Sequence, residues 1–81
     1  DDPAVIDSMG WVQYRLGNLD AAEAYLRRAH EQFPDPEVTA HLVEVLWAQD
    51  KRTEARVLME RALETEPESE PLLEVKERLG L

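Results

Sequence analysis

The feature that most constrains this chain is that it repeats itself at a step of 33 residues, as from Met9 to Leu42. The matched pairs are small or apolar: Met9 and Leu42, Gly10 and Val43, Val12 and Val45, Tyr14 and Trp47, Ala22 and Ala55, Leu26 and Met59, Ala29 and Ala62, and Pro34 and Pro67. A period of that length indicates a repeat array, in which each unit buries its apolar face against its neighbours. The chain is therefore expected to form a surface rather than a deep cleft.

The residues that begin and end secondary structure in this chain are those typical of helices. Each predicted helix begins with a residue whose side chain can accept a hydrogen bond from the first turn. These predicted N-caps are Asp2, Asp20, Asp35, Thr53 and Ser69. Glu23 follows Asp20 at the spacing of a capping box. Gly17 and Gly80 suit the left-handed residue that ends a helix, and Pro34 and Pro67 stop the second and fourth helices.

Apolar residues follow a helical period, and no segment alternates as a half-buried strand does. The first helix carries one apolar stripe, which consists of Val5, Met9, Val12 and Leu16. The second helix is predicted to bury Ala22, Tyr25, Leu26, Ala29 and Phe33. The sequence thus predicts an all-α fold of antiparallel helix-turn-helix repeats, with repeat 1 at residues 3–34, repeat 2 at 36–67 and a capping helix at 69–80.

Small residues indicate where helices approach closely. Gly10 and Val43 are expected to face alanines of the second helix of each pair, either Ala22 and Ala55 or Ala29 and Ala62. A glycine inside a helix lowers helix stability by about 1 kcal/mol relative to alanine. Close packing of two helices at Gly10 would explain why a glycine is nevertheless present. The fifth helix has Lys76 at this place, which would keep a further helix away and suits the end of an array.

Composition excludes several classes of function. The formal charge is −9 and is spread through both repeats, which disfavours nucleic acid and anionic lipid as partners. There is no cysteine, and no apolar run reaches membrane-spanning length. The abrupt start at Asp1-Asp2-Pro3 suggests a piece of a longer protein.

Chemistry-bearing side chains complete no recognised catalytic set. Glu37, His41 and Glu44 share a helix face and could in principle hold a metal ion. There is no His-Glu-x-x-His motif and no glycine-rich phosphate loop. Asp7 and Ser8 are sequence neighbours, so their side chains diverge on a helix and do not form a triad with His41. We therefore predict no enzyme, no metal and no cofactor.

The repeat resembles the tetratricopeptide repeat, whose pattern places small and apolar residues at fixed positions of two antiparallel helices. Ile6 fills the place of the family's tryptophan, whereas Gln13, Thr39 and Val43 depart from the pattern. The resemblance implies that repeat packing uses Ile6, Met9, Gly10, Tyr14, Ala22, Leu26, Ala29, Pro34, Leu42, Val43, Leu46, Ala55, Met59, Ala62 and Pro67. The repeat is one residue shorter than the family's 34 residues, and we assign the missing residue to the Pro34-Asp35-Pro36 joint.

This resemblance implies a concave groove, lined by the first helix of each pair, that holds a protein or peptide partner. The positions carried over are Asp7, Ser8, Trp11, Arg15, Glu37, Ala40, His41, Glu44, Ala48, Glu74 and Glu77. Their acidic character favours a basic or apolar partner segment. Trp11 is the expected anchor, although it could instead only pack on Tyr14, Arg15 or an adjoining repeat.

An alternative is a structural cap or homo-oligomerisation element with no ligand of its own. Val5 and Val12 lie where an upstream helix would cover them, so this edge could pair two copies as a homodimer. The segments Asp7-Ser8-x-Gly-Trp and Pro34-Asp-Pro-Glu-Val38 resemble the last repeats of long bacterial repeat proteins, including outer-membrane lipoproteins. That resemblance implies a bacterial protein of the cytoplasm or of the periplasmic face of the outer membrane. The negative charge and the lack of a long apolar run predict no direct membrane contact.

Overall fold

The computed structural model describes residues 2–81 and contains only helices in that range. The helices are α1 (Pro3–Arg15), α2 (Leu19–Gln32), α3 (Pro36–Ala48), α4 (Arg52–Thr65) and α5 (Glu70–Leu79). The helices of each pair, α1 with α2 and α3 with α4, pack on each other, α2 packs on α3, and α5 packs chiefly on α3. The prediction of an all-α helical-repeat fold is confirmed. Within the described residues, no helix combines the length and apolar character needed to cross a membrane.

Three of the five predicted caps are present. Asp2 Oδ1 accepts a hydrogen bond from the Ala4 amide at 2.9 Å, and Asp35 Oδ1 accepts one from Glu37 at 2.8 Å. The Ser69 hydroxyl accepts from the α5 backbone at 3.5 Å. Carboxylate and hydroxyl side chains thus satisfy amides that the first turn of a helix leaves free.

The predictions of Asp20 and Thr53 as caps are wrong, because α2 and α4 begin earlier. After α1, Gly17 adopts φ +85°, and the Asn18 amide donates to the Gln13 carbonyl at 2.9 Å. This backbone motif ends α1 and leads directly into α2, so the N-cap is Asn18 and makes no side-chain cap. The turn between α3 and α4 is built in the same way, with Asp50 in the left-handed region at φ +65° and Lys51 as the next N-cap.

The core follows the repeat closely. Most predicted packing residues are at most 5% exposed: Ile6, Ala22, Leu26, Ala29, Leu42, Val43, Leu46, Ala55 and Met59. Tyr14 and Ala62 are partly buried and pack against this core. Met9, at 44% exposed, and Phe33, at 53%, are exposed, so their predicted burial is wrong. Pro34 and Pro67 are also exposed and lie in the connections after α2 and α4 rather than in the core.

Gly10 is buried where α1 lies close to α2. A Cβ atom at Gly10 would lie 2.8 Å from Cγ of Leu26 and 3.2 Å from Cβ of Tyr25. These nearest atoms come from residues of α2 between the expected Ala22 and Ala29, both of which are fully buried. The expected close packing at Gly10 is present, because the missing side chain leaves room for Leu26 and Tyr25.

The connections between successive pairs differ in length. Three residues separate α2 from α3, whereas four separate α4 from α5. The N-caps Asp35 and Ser69 are consequently 34 residues apart, while Asp2 and Asp35 are 33 apart. This places the missing residue at the joint after Pro34, as predicted. It also puts Glu77, rather than Lys76, at the α5 position equivalent to Val43. Both side chains are exposed and charged.

One face of α1 has no covering element within the described residues. We call the exposed residues Val5, Met9, Val12 and Leu16 the α1 stripe; they are 54%, 44%, 54% and 68% exposed. The equivalent α3 residues Val38, Leu42 and Val45 are at most 6% exposed, because α2 packs on that side of α3. The α1 stripe is therefore the same packing surface as in α3, left uncovered by residues 2–81.

Candidate functional site

A groove of about 510 Å³ runs across the first helices of the array. Its walls come from α1, α3 and α5, and the lining residues are Trp11, Glu37, Ala40, His41, Glu44, Glu70, Pro71, Glu74, Val75 and Arg78. Helices α2 and α4, the second helix of each pair, do not line this groove. The groove therefore lies on the face of the helical array that α1, α3 and α5 form.

The structure places the predicted groove residues in two groups. Trp11, Glu37, Ala40, His41, Glu44 and Glu74 line the groove. Asp7 adjoins it through a hydrogen bond to His41. The remaining candidates, Ser8, Arg15, Ala48 and Glu77, are exposed and do not line it. The Ser8 hydroxyl instead donates to the Ala4 carbonyl at 3.0 Å, and Ser8 borders the α1 stripe.

Four lining residues, all on α5, were not predicted from the sequence: Glu70, Pro71, Val75 and Arg78. A step of 34 residues from Glu37, Ala40, His41 and Glu44 leads to Pro71, Glu74, Val75 and Arg78. A step of 33, as in the first repeat, misses three of these positions. The distance between the capping residues Asp35 and Ser69 was the signal that could have corrected the register.

Aromatic rings connect α1 with α3 at one end of the groove. The ring centroids of Trp11 and His41 lie 4.3 Å apart with their planes at 27°. Trp11 also stacks on Tyr14, with 4.8 Å between centroids. The His41 Nδ1 atom lies 2.8 Å from Asp7 Oδ1, and because an ionised carboxylate only accepts, Nδ1 carries the proton. His41 is thus fixed by a ring on one side and a carboxylate at its edge.

The groove is predominantly acidic. Glu44 is only 10% exposed at its side chain and forms an ion pair with Arg78 from α5. The side chains of Glu37, Glu70 and Glu74 form no hydrogen bond or ion pair with any residue in the described part of the chain. Since the one arginine in the lining is already paired with a buried carboxylate, the remaining charge facing solvent is negative.

Comparison with known proteins settles the family. The family model for the tetratricopeptide repeat matches residues 13–79. This chain belongs to the tetratricopeptide repeat family. Tetratricopeptide repeats generally mediate protein–protein interactions, and the family consists in general of non-enzymatic modules.

A curated relative of this tetratricopeptide repeat chain is a TPR repeat-containing protein of Pseudomonas aeruginosa. The two are 61% identical over 44 residues. That match covers 54% of this chain and only 8% of the relative's length. The comparison therefore concerns a short part of a much longer protein.

A second polar site joins the two helix pairs, away from the groove. Glu23 of α2 accepts hydrogen bonds from Arg27 at 2.7 Å, Gln49 at 2.7 Å and Lys51 at 2.8 Å. We call these four residues the Glu23 cluster. Partial burial raises the pKa of Glu23, but the hydrogen bonds from Lys51, Gln49 and Arg27 outweigh it and lower that pKa from 4.5 to about 2.

The predicted capping-box role of Glu23 is wrong. Because α2 begins at Leu19, Glu23 lies beyond the first turn and its side chain reaches the α3–α4 turn instead. Arg27 extends the connection, since its guanidinium also contacts Glu54 of α4 at 2.8 Å. Sequence alone gave no signal for these contacts, which join residues 26–28 positions apart.

Proposed function

We propose that this chain is a scaffold or adaptor module that holds a segment of a protein partner in the groove between α1, α3 and α5. The observation that supports this most directly is the groove itself, which is continuous across three helices and carries unpaired carboxylates. Protein–protein interaction is also the general role of the family.

The chemistry of the lining favours a partner segment that is basic and partly apolar. Glu37, Glu70 and Glu74 are free to pair with lysine or arginine side chains. Between them, Ala40, Pro71 and Val75 offer apolar surface. An acidic segment, or the carboxylate of a peptide C-terminus, would be repelled by the glutamates of the groove, because no unpaired basic side chain lines it.

Trp11 contributes to the groove wall and also packs within the protein. Its stacking on Tyr14 and His41 supports the packing role, and its position in the lining supports contact with a partner. Replacement of Trp11 would disturb both at once. A test of binding is therefore better placed at the rim, on exposed carboxylates that make no contact with the core.

We expect Glu70→Gln/Glu74→Gln to weaken binding of a short lysine-leucine peptide. Two exposed ion pairs, each contributing ~0.7 kcal/mol, correspond to about a tenfold weaker Kd. The measurement is an NMR titration of the labelled chain, in which amide shifts should concentrate on α1, α3 and α5. The matched control is Glu60→Gln/Glu64→Gln on α4, which removes the same charge from exposed positions outside the groove.

Equal weakening by the control pair would show that only net charge attracts the peptide. Preference for a glutamate-leucine peptide, or shifts confined to α2 and α4, would contradict the groove proposal. Circular dichroism of both variants should match the unmodified chain, because none of the four glutamates is buried.

A structural or homo-oligomerisation role is supported by a different observation, the α1 stripe. Its α3 equivalents are buried, so the exposed stripe has the character of a packing surface. A second copy could cover it in an isologous pair, burying apolar area from both chains.

Val12→Lys is expected to abolish such a pair, because it would bring a charged side chain from each copy into the apolar contact. Size-exclusion chromatography with light scattering should give a dimer for the unmodified chain at high concentration and a monomer for the variant. Val57→Lys is a suitable control, since Val57 is an exposed valine of α4, 40% accessible, outside the stripe. A monomeric unmodified chain would contradict the homo-oligomerisation role.

A further inference from the structure

We propose that Asp7, Glu37 and His41 form a binding site for Zn²⁺, or a divalent transition-metal ion of similar chemistry, that bridges α1 and α3. This proposal does not rest on partner binding, and two of its three ligands, Glu37 and His41, also line the groove. No metal was predicted from the sequence, since Glu37, His41 and Glu44 complete no recognised set of ligands. In the structure Glu44 is paired with Arg78, and Asp7 from α1 takes its place beside Glu37 and His41.

The three donors already lie close to one another. One ligand atom from each residue falls within 4.8 Å of the other two. Ligand atoms that share one zinc ion at bonds of 2.0–2.1 Å lie roughly 3–3.5 Å apart. The Asp7–His41 pair, at 2.8 Å, is already near that spacing. Glu37 is exposed, so a rotation of its side chain can close the remaining gap.

The surroundings hold two of the ligands in place. Asp7 and His41 have side chains only 14% and 22% exposed. Trp11 stacks on the His41 ring and fixes its plane. Fixed donors lose little conformational freedom when an ion arrives, which favours binding.

The charge of Glu37 is an independent reason to expect a cation here. Its carboxylate lies near that of Asp7, and no basic side chain among residues 2–81 pairs with it. A divalent ion between the carboxylates of Asp7 and Glu37 would attract both and so offset their mutual repulsion. Metal binding requires the other neutral tautomer of His41, in which the proton has moved from Nδ1 to Nε2 and the Nδ1 lone pair faces the ion in place of the hydrogen bond to Asp7.

The donor types favour zinc over magnesium or calcium. Imidazole is a good ligand for zinc, copper and nickel, whereas magnesium and calcium prefer oxygen alone. Three protein ligands leave a fourth position of a tetrahedral ion for water. Since α1 and α3 otherwise contact each other little, a shared ion would tie the two walls of the groove together.

The test is calorimetric titration of Zn²⁺ into the full 81-residue chain in a non-chelating buffer near pH 7. We expect one ion per chain, with His41→Gln and Glu37→Gln each weakening binding about tenfold or more, since each removes one of three ligands. The chain has two histidines, so His30→Gln on α2 is the matched control and should leave the affinity unchanged. An excess of Mg²⁺ should not displace Zn²⁺.

Absence of saturable Zn²⁺ binding, or equal loss in the His30 and His41 variants, would overturn the proposal. Displacement by Mg²⁺ would also overturn it, because the imidazole would then not be a ligand. Glu37→Gln guards against misfolding as an explanation, since Glu37 is exposed and its side chain forms no hydrogen bond or ion pair with any other residue of 2–81.

Discussion

Gly10→Leu is expected to lower the free energy of unfolding by about 3 kcal/mol, because the helix crossing has no room for a side chain. Even a Cβ atom would lie 2.8 Å from Leu26 Cγ and 3.2 Å from Tyr25 Cβ. Leu26 is fully buried, so it cannot move aside without disturbing the core. The better helix propensity of leucine, about 1 kcal/mol relative to glycine, offsets only part of this.

Urea denaturation followed by circular dichroism measures the effect. Ala24→Leu is the matched control, because Ala24 is exposed on α2 and a leucine there meets solvent. The control should unfold within about 0.5 kcal/mol of the unmodified chain. If Gly10→Leu were equally stable, the close approach of α1 and α2 at this point would be refuted.

Glu23→Gln is expected to lower the free energy of unfolding by about 1–2 kcal/mol at pH 7. The change removes the charge that receives hydrogen bonds from Arg27, Gln49 and Lys51 while preserving the shape of the side chain. The Glu23 cluster connects α2 with the α3–α4 turn, so its loss loosens the contact between successive pairs. We expect a smaller loss of stability than for a deeply buried ion pair, because the side chains of Arg27 and Lys51 are well exposed and solvent weakens their attraction to Glu23.

The same cluster predicts a dependence on pH whose sign follows from the pKa of Glu23. Folding lowers that pKa from 4.5 to about 2. The carboxylate therefore contributes its stabilisation fully above about pH 4.5, and the contribution is lost as the pH falls toward 2. Urea midpoints of the unmodified chain and of Glu23→Gln should converge over this window. The urea midpoint of the control Glu64→Gln, a change at an exposed position of α4, should follow that of the unmodified chain at every pH. If the difference in midpoint between Glu23→Gln and the unmodified chain were the same at pH 2 as at pH 7, the role of the Glu23 charge would be contradicted.

The fold could be predicted from the sequence because its determinants are local and periodic. Asp2 and Asp35 each precede a proline, and the alanines and leucines recur at positions that one helix must bury against the next. The helix starts at Leu19 and Arg52 could not be predicted in the same way. There the backbone turn that ends the preceding helix, rather than a capping side chain, decides where the next one begins.

The candidate site was predictable where it depends on a single helix face. Glu37, Ala40, His41 and Glu44 are one such face, and all four line the groove. The pairing of Glu44 with Arg78 and the hydrogen bond of His41 to Asp7 each join residues 34 positions apart. Such contacts depend on how the pairs stack, which a helical period does not specify. The exposure of Phe33 has a similar origin, since α2 ends at Gln32 and Phe33 lies in the extended connection beyond it.

The unequal connections before α3 and α5 have a consequence for how such arrays are detected. Asp35 and Ser69 begin their helices with the same extended backbone although one connection is a residue longer. The insertion is absorbed outside the helices, and the faces that pack keep their order. A search with one fixed period would be one residue out of register from this point onward. It would then predict the wrong residues of α5 as the lining of the groove. Alignment by capping residue keeps the phase, because the cap marks the physical start of each helix.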